Sequence, residues 1–278
     1  MDTVLVRATA DDLAERIDLP PFRQVDVDRF IRACGGVIDD DGTIPPLLLA
    51  TTMEWSADGH TSRSDGLQPW DAPGTDGLPV TVVHGGARLQ LHKPVDLASA
   101  VVLKRRIKAV RGVHGRRGPS VQITKESVFA VGETVTITMV EDVFVLTTAE
   151  RSYTPRDWQA VEDAQCVRQV QSTPVQLLQF AVATANHHRI HVDTETARRE
   201  GFDDLAVPTG LHAAYLWSAV SSELKPGAAL RTFSWRTLAP VSAGQSVALY
   251  AWDHADGRRA AEVGDGALLA TAEAAVMA

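Results

Sequence analysis

The chain contains very little cysteine. Cys34 and Cys166 are the only two among 278 residues, too few for a disulfide framework, and they lack the spacing of a metal-ligand motif. Sparse, isolated cysteines are typical of proteins kept in a reducing compartment. The sequence therefore predicts a cytoplasmic protein without disulfide bonds.

Long hydrophobic runs and an excess of positive charge are also missing. No apolar run approaches the roughly 20 residues of a membrane span, and residues 1–7 lack the basic start and apolar core of a signal peptide. The formal net charge is −8, whereas a nucleic-acid groove needs clustered Lys and Arg. We expect neither a membrane nor a nucleic acid as a partner.

One basic segment, residues 104–117, departs from the acidic balance. A run of charges usually lies on a solvated face, so its simplest interpretation is an edge strand and the turn after it. The alternative is that the segment attracts an anionic ligand.

What remains is an ordinary globular composition, with 45% hydrophobic and 22% charged residues. Its hydrophobic periodicity changes along the chain from helical to alternating, and then repeats the change. The predicted helices are 11–17, 25–34, 44–55, 173–184 and 207–217; the predicted strands are 80–91, 101–110, 120–131, 134–146, 229–238, 246–253, 259–263 and 267–276; residues 56–77 read as a loop and 147–166 as a linker.

The order of these elements indicates an internal repeat. Each half has helical segments followed by four strands, and residues 44–50 occupy the place in their half that 206–212 occupy in the other. Residues 93–98 and 238–243 correspond in the same way. The sequence predicts an α+β fold of two helix-plus-antiparallel-sheet repeats, with domains at 1–148 and 168–278 joined by a linker at 149–167.

The most informative stretch is residues 180–193. It begins as an amphipathic helix and then breaks into polar residues, Asn186 to His191, that no core would take without compensation. The corresponding place in the first half, residues 35–41, has no histidine. Catalytic groups are therefore expected only in the second half, with the first as a degenerate partner that shapes the pocket.

This stretch resembles the catalytic segment of the MaoC-like (R)-specific enoyl-CoA hydratases and 3-hydroxyacyl thioester dehydratases. Their pattern reads F-x-x-x-[ST]-G-D-x-N-P-[IL]-H-x-D. The residues in register with it are Phe180, Thr184, Ile190, His191 and Asp193. The resemblance implies a double hot-dog fold, in which each curved antiparallel sheet wraps a long helix, and it implies that His191 is the catalytic histidine.

Asn186 departs from that pattern, because the family has its catalytic Asp there. A two-domain branch that acts on mesaconyl-type thioesters has the version T-x-N-x-H-R-I-H, and this chain matches all six of its defined positions. They are Thr184, Asn186, His188, Arg189, Ile190 and His191.

Hydration of a 2-enoyl thioester needs an activated water, a proton for the α carbon and stabilisation of the thioester oxygen. An imidazole suits the proton role, since its reference pKa is about 6.5. Asn186 cannot accept a proton but can orient a water. We therefore expect His191 to carry the acid–base work alone, or with a carboxylate such as Asp193.

The oxyanion donors are expected at the start of the helix after Pro208, where the helix dipole favours negative charge. Proline has no N–H to give. The donor is therefore Thr209 or Gly210, of which Thr209 could also cap the helix and Gly210 allows a close backbone approach.

Three neighbouring residues have alternative interpretations. Adjacent His187 and His188 rarely point the same way, and no carboxylate or Cys completes a ligand spacing, so we expect no metal and no cofactor. His188 and Arg189 are candidate substrate-binding residues. Arg189 could contact a substrate phosphate or carboxylate, or it could pair with Asp193 or Glu195 as a structural clip.

The leading hypothesis is a hydratase or dehydratase of acyl-CoA or acyl carrier protein thioesters, for which residues 104–117 could attract coenzyme A phosphates. The alternatives are an acyl-CoA thioesterase, since hot-dog folds also host thioesterases, and a non-catalytic acyl-thioester-binding subunit, suggested by Asn186. A homodimer is one assembly that remains open.

Overall fold

The computed structural model describes residues 7–8, 14–53, 63–75, 77–78, 80–115, 118–146, 156–224, 228–255 and 257–277. Strands and a few helices make up the described chain. The strands are β1 (Ala14–Asp18), β2 (Thr81–Leu91), β3 (Val101–Gly115), β4 (Gly118–Val131), β5 (Thr134–Leu146), β6 (Arg156–Asp157), β7 (Gln165–Gln171), β8 (Ala229–Thr237), β9 (Ser246–His254), β10 (Gly257–Gly264) and β11 (Ala267–Met277); the helices are α1 (Gln24–Ala33), α2 (Pro46–Thr51), α3 (Pro174–Ala183), α4 (Thr194–Arg199), α5 (Thr209–Ser221) and a 3-10 helix at Arg189–His191.

All eleven strands belong to one antiparallel sheet. Its order is β1-β3-β4-β5-β2-β8-β11-β10-β9-β7, and β6 pairs with β11. Counted outward from the junction of β2 and β8, the strands are β2, β5, β4, β3 and β1 in the first half and β8, β11, β10, β9 and β7 in the second. In each half the first long strand is at the centre of the sheet, the fourth, third and second follow, and a short strand that comes earlier in the chain is at the edge. The two halves therefore have the same topology, which confirms the repeat and the α+β fold class expected from the sequence.

The halves join through β2 and β8, where residues 86–90 pair with residues 232–236. A β-bulge in β2 ends at Gly86, which has φ +130°. A Cβ there would lie 2.1 Å from the Trp235 carbonyl oxygen, closer than real Cβ atoms come. Glycine thus lets the backbones of the two halves meet in one continuous sheet.

Helix α5 is the central helix of the second half. It packs against β8, β9, β10 and β11, and an apolar surface on most sides is typical of a helix inside a core. Helices α1 and α3 pack together beside it, with the rings of Phe30 and Phe180 6.0 Å apart. The buried residues of α5 are Leu211, His212, Ala213, Ala214, Tyr215, Leu216, Ala219 and Val220.

Two isolated bridges fix how the halves correspond. Thr43 pairs with Asp96, and Ala206 pairs with Ser242. The segments before α2 and α5 are therefore equivalent, as the sequence suggests, but with a shift of one residue from the expected pairing of 44–50 with 206–212. Residues 93–98 are likewise shifted by one residue from their expected correspondence with residues 238–243.

The N-terminal segment is a correction. Residues 11–17 were expected to form a helix, yet Ala14–Asp18 is strand β1, which pairs with β3; residues 11–13 lie outside the described residues. The segment is too short to bury a helical face, and β3 offers it backbone partners. Arg105 Nε also donates to Glu15 over 2.8 Å.

That pairing also corrects the interpretation of the basic segment. β3 lies between β1 and β4 and is not an edge strand. Lys108 Nζ donates to Glu126 over 3.0 Å, and Arg106 pairs with the same carboxylate. Much of the positive charge is thus balanced within the protein.

Three boundaries differ from expectation. α2 ends at Thr51, and residues 54–55 of the predicted helix lie outside the described residues. In the loop, residues 63–75 form no helix or strand but bury several side chains, Trp70 among them. β7 begins at Gln165, inside the expected linker, and pairs with β9.

In the described ranges, no helix has the length and apolarity that crossing a membrane requires.

Candidate active site

The polar turn after α3 holds most of the expected site residues. α3 ends because Thr184 leaves the helical conformation and Ala185 takes φ +51°, a left-handed value that closes a helix. The Asn186 N–H then donates to the Ala181 carbonyl over 2.8 Å. This closure directs the chain into the short 3-10 helix that carries His191.

Segments of the first half hold this turn in place. The Met53 N–H donates to the Thr184 carbonyl over 2.7 Å, and the Arg189 N–H donates to the Asp65 carbonyl over 2.8 Å. Gly66 lies so close that a Cβ on it would be 2.0 Å from the His187 carbonyl oxygen. The first half therefore fixes the backbone of the turn, which fits the shaping role expected for it.

His191 is buried and its ring orientation is fixed. Nδ1 lies 2.8 Å from the Ala206 carbonyl oxygen. Because a carbonyl oxygen only accepts, Nδ1 carries the proton and Nε2 carries the lone pair. Burial, with a smaller contribution from His188, lowers the pKa of His191 to about 3. The ring is a neutral base over the ordinary pH range.

Asn186 is half-buried, and its side chain takes part in the turn. Oδ1 accepts from the His188 backbone N–H over 3.1 Å, an Asx-type contact. The Nδ2 end of the amide can then donate toward the cavity. This arrangement can orient a water but cannot take its proton.

His188 lies between the turn and two carboxylates. Its Nε2 is 3.8 Å from Glu200 Oε2, and neither atom has a hydrogen-bond partner among the described residues. Ligand atoms of Asp65, His188 and Glu200 lie within 4.8 Å of one another. However, Arg63 Nε donates to both oxygens of Asp65, over 3.0 and 3.1 Å, so that carboxylate already has a cation. The expected absence of a metal stays a prediction.

Arg189 does not line the cavity that contains His191. It forms an ion pair with Asp193, four residues later, and both groups are partly exposed. Asp193 also caps α4 by accepting from the backbone of Glu195 and Thr196. The structure thus supplies the structural-clip alternative for Arg189, and it does not bring Asp193 to His191 as a partner.

Thr209 and Gly210 open α5. The N-cap is Pro208, so Thr209 is the first helical residue and not the cap that the sequence suggested. The first backbone bonds are made by Leu211 and His212, which donate to the Pro208 carbonyl. The N–H groups of Thr209 and Gly210 precede these bonds and have no intrahelical acceptor; which of the two is the oxyanion donor stays a prediction.

Gly210 has a packing reason as well. A Cβ on it would lie 2.8 Å from Thr51 Cγ2 and 3.0 Å from the Phe180 ring. The close approach expected of Gly210 is therefore made to α2 and α3. It brings the start of α5 beside the turn after α3.

A cavity of about 1950 Å³ joins these groups and is lined by both halves. Of the expected site residues, it brings together Asn186, His188, His191, Thr209 and Gly210.

The first half contributes a charged wall to the same cavity. Lys125 Nζ lies 2.9 Å from Glu141 Oε1, and His84 Nε2 lies 3.1 Å from Glu141 Oε2. Burial raises the pKa of Glu141, but Lys125 and His84 together hold it below its usual range. Although residues 35–41 of the first half contain no histidine, this half still places titratable groups at the cavity.

His212 and Glu262 were not among the predicted site residues. His212, in the first turns of α5, lines the cavity, and its Nδ1 lies 2.5 Å from Glu262 Oε2 on β10. The available signal was weak: Glu262 is a charged residue on the inward face of a predicted strand, and the helix pattern around His212 is apolar.

Comparisons with known proteins agree with this architecture. The model of the family described as hydroxyacyl-thioester dehydratase type 2 matches residues 50–243. Among curated proteins, a sequence search finds no match.

Solved structures share the fold at low identity. HtdX of Mycobacterium tuberculosis has a TM-score of 0.68 at 16% identity, covering 95% of this chain and 100% of HtdX. A MaoC-like dehydratase from Phytophthora capsici has a TM-score of 0.67 at 14% identity, covering 99% and 97%. A second M. tuberculosis protein, described as having a double hot-dog fold, has a TM-score of 0.59 at 11% identity, covering 98% of both chains.

Proposed function

Because the chain belongs to the type 2 hydroxyacyl-thioester dehydratase family, whose model matches more than half of it, we propose that it interconverts 2-enoyl and 3-hydroxyacyl thioesters by adding or removing water. The observation that carries the proposal is the ring of His191. It is a buried neutral base whose Nδ1 is occupied by Ala206, in a cavity that also contains the start of α5.

In the hydration direction, Nε2 of His191 takes one proton from a water as the water oxygen bonds to the β carbon. The electron pair of the double bond moves toward the thioester oxygen, where the N–H groups of Thr209 and Gly210 stabilise the negative charge. The same proton then passes from His191 to the α carbon. Dehydration reverses these steps, and no further proton donor is required for balance.

Asn186 orients the water in this scheme. Its Oδ1 is held by the backbone N–H of His188, which leaves the Nδ2 donor for the water, and Asn186 lines the cavity. A carboxylate at this place would share the acid–base work with the histidine, whereas an amide leaves His191 to do it alone. We expect the rate to depend on one titrating imidazole at this end of the site.

The substrate is proposed to be a thioester of coenzyme A or of an acyl carrier protein. Six matching positions from Thr184 to His191 favour the mesaconyl-type branch, and hence a carboxylated acyl group, as the first candidate. A cytoplasmic location and a homodimer are also proposals. They derive from the cysteine content and from the resemblance.

A second candidate is a subunit that binds acyl thioesters without turning them over. The observation that favours it is Asn186, which replaces a proton-accepting carboxylate beside a histidine of low pKa. In that case the cavity and the oxyanion donors would serve binding alone.

The test is a hydration assay with a panel of 2-enoyl-CoA thioesters, including dicarboxylic ones, followed by absorbance of the enoyl thioester. Turnover without release of free thiol supports the proposed function. Thiol release would indicate a thioesterase. Tight acyl-CoA binding without either reaction would indicate the non-catalytic subunit and overturn the proposal.

A further inference from the structure

A buried histidine–carboxylate pair joins the first turn of α5 to β10. His212 Nδ1 is 2.5 Å from Glu262 Oε2, and the two side chains are 2% and 1% exposed. Oε1 of Glu262 has no hydrogen-bond partner among the described residues. Burying such a pair costs several kcal/mol of desolvation, and apolar residues of similar size often stabilise a core equally well. Stability alone therefore gives little reason for the pair.

The position of His212 relates it to the candidate site. His212 is in the first turn of α5, the turn that also carries the N–H groups of Thr209 and Gly210, and all three residues line the cavity. The ring lines the same cavity as His191. Charge on His212 is also one of the influences that lower the pKa of His191, after burial and His188.

The contact with Glu262 determines which nitrogen of His212 is available. A carboxylate oxygen accepts, so Nδ1 of His212 donates to it and only Nε2 remains for the cavity. When the ring is protonated, Nε2 is a donor and the buried pair is neutral overall. The other titratable groups near the pair are His191 and Tyr215, and the pKa of Tyr215 is raised by burial and, to a smaller degree, by Glu262.

We propose that His212 is a second catalytic imidazole of this site, which donates an Nε2–H hydrogen bond to the substrate thioester oxygen, and that Glu262 is the positioning residue that holds its ring through Nδ1. The inference rests on the proposed hydratase function and deepens it. His212 transfers no proton in this scheme. Its contribution is therefore electrostatic, and the proton balance through His191 is unchanged.

Two substitutions separate catalysis from structure at His212. In His212→Asn, the side-chain amide nitrogen overlies Nδ1, so Glu262 keeps a donor while the cavity loses one. In His212→Gln, the amide nitrogen overlies Nε2, so the cavity keeps a donor while Glu262 loses its partner. We expect the kcat of His212→Asn to fall by about 100-fold, as for the loss of one oxyanion donor. Its KM and melting temperature should stay near the parental values.

His212→Gln should show the opposite pattern: more of the activity is kept, but the melting temperature falls because Glu262 is left buried without a partner. Tyr215→Phe is the matched control. It removes the buried hydroxyl of α5 that contacts Ser172 over 2.8 Å and accepts from Gln176 Nε2 over 3.1 Å, and Tyr215 is outside the cavity lining. Its kcat should stay within about threefold of the parent.

Glu262→Gln tests the positioning role, since an amide can still accept from Nδ1 but carries no charge. Glu262→Gln should lower kcat while KM stays near the parental value, because a hydrogen bond from Nδ1 to a neutral amide is weaker than one to a carboxylate and holds the ring less firmly. A Glu262→Gln enzyme with parental kcat overturns the positioning role of Glu262. Parental kcat in His212→Asn overturns the role of His212, whereas a parent inactive on the whole enoyl-CoA panel overturns the proposed function first.

Discussion

Nδ1 of His191 lies 2.8 Å from the carbonyl oxygen of Ala206, and this contact leaves Nε2 as the basic atom of the ring. Replacing His191 by Asn keeps a donor for Ala206 and removes the base. We expect kcat for enoyl-thioester hydration to fall by about 100-fold or more, the usual contribution of a general acid–base group, while the fold is kept.

His92→Asn is the control for that substitution. His92 is exposed, and its Nε2 lies 3.3 Å from the Thr138 hydroxyl. Steady-state kinetics on the best enoyl-CoA of the panel provide the measurement. A His191→Asn enzyme that stays within about threefold of the parent would show that the base is another residue.

The low pKa of His191 also predicts how stability depends on pH. The unfolded chain binds a proton at this histidine below about pH 6.5, whereas the folded protein binds it only near pH 3. The free energy of unfolding should therefore fall as the pH is lowered through this window, by up to about 1.4 kcal/mol per pH unit from this group. His191→Asn removes the contribution.

Urea unfolding of the parent and of His191→Asn at several pH values between about 4 and 7 measures the difference. As the pH falls, the unfolding free energy of the parent should decrease more than that of His191→Asn. Parallel curves for the two proteins would mean that His191 is protonated as easily in the folded state as in the unfolded one.

Asn186 is predicted to orient water and not to bind the acyl group. Asn186→Ala should lower kcat while the affinity for a saturated acyl-CoA stays near the parental value, because a contact that matters only in the transition state acts on kcat. Calorimetric titration and steady-state kinetics measure the two quantities. Parental kcat in Asn186→Ala would show that the water is held elsewhere.

Asn186→Asp is the sharper substitution, since the carboxylate still accepts from the His188 backbone N–H. A negative charge near His191 favours the charged imidazole and raises its pKa. The acidic limb of the kcat/KM profile should therefore move to higher pH, with activity kept. An unchanged limb would place the two side chains too far apart to interact.

The sequence predicted the strands of both halves well because alternation of apolar and polar residues reports directly on a half-buried sheet. It also located Asn186 and His191, which lie five residues apart in one turn. β1 was missed, because five residues that gain their pairing from β3 carry too little local signal. His212 and Glu262 were missed for a related reason: fifty residues separate them, and only the packing of α5 on β10 brings them together.

The last prediction concerns Gly210, whose place at the start of α5 was visible in the sequence but whose packing was not. In Gly210→Ala the new Cβ would meet Thr51 Cγ2 at 2.8 Å and the Phe180 ring at 3.0 Å. Such overpacking should lower the free energy of unfolding by about 1–3 kcal/mol. It should also reduce kcat, because the oxyanion donors are displaced from the turn that holds His191.

A second substitution tests that this clash is the cause. Thr51→Ser removes Cγ2 but keeps the hydroxyl that donates to the Leu47 carbonyl over 2.7 Å, so Gly210→Ala combined with Thr51→Ser should recover part of both losses. Gly112→Ala is the control, since a Cβ there meets nothing within 4 Å, and it should change stability by less than about 0.5 kcal/mol. Equal stability of the single and double variants would mean that Phe180, and not Thr51, limits the space around Gly210.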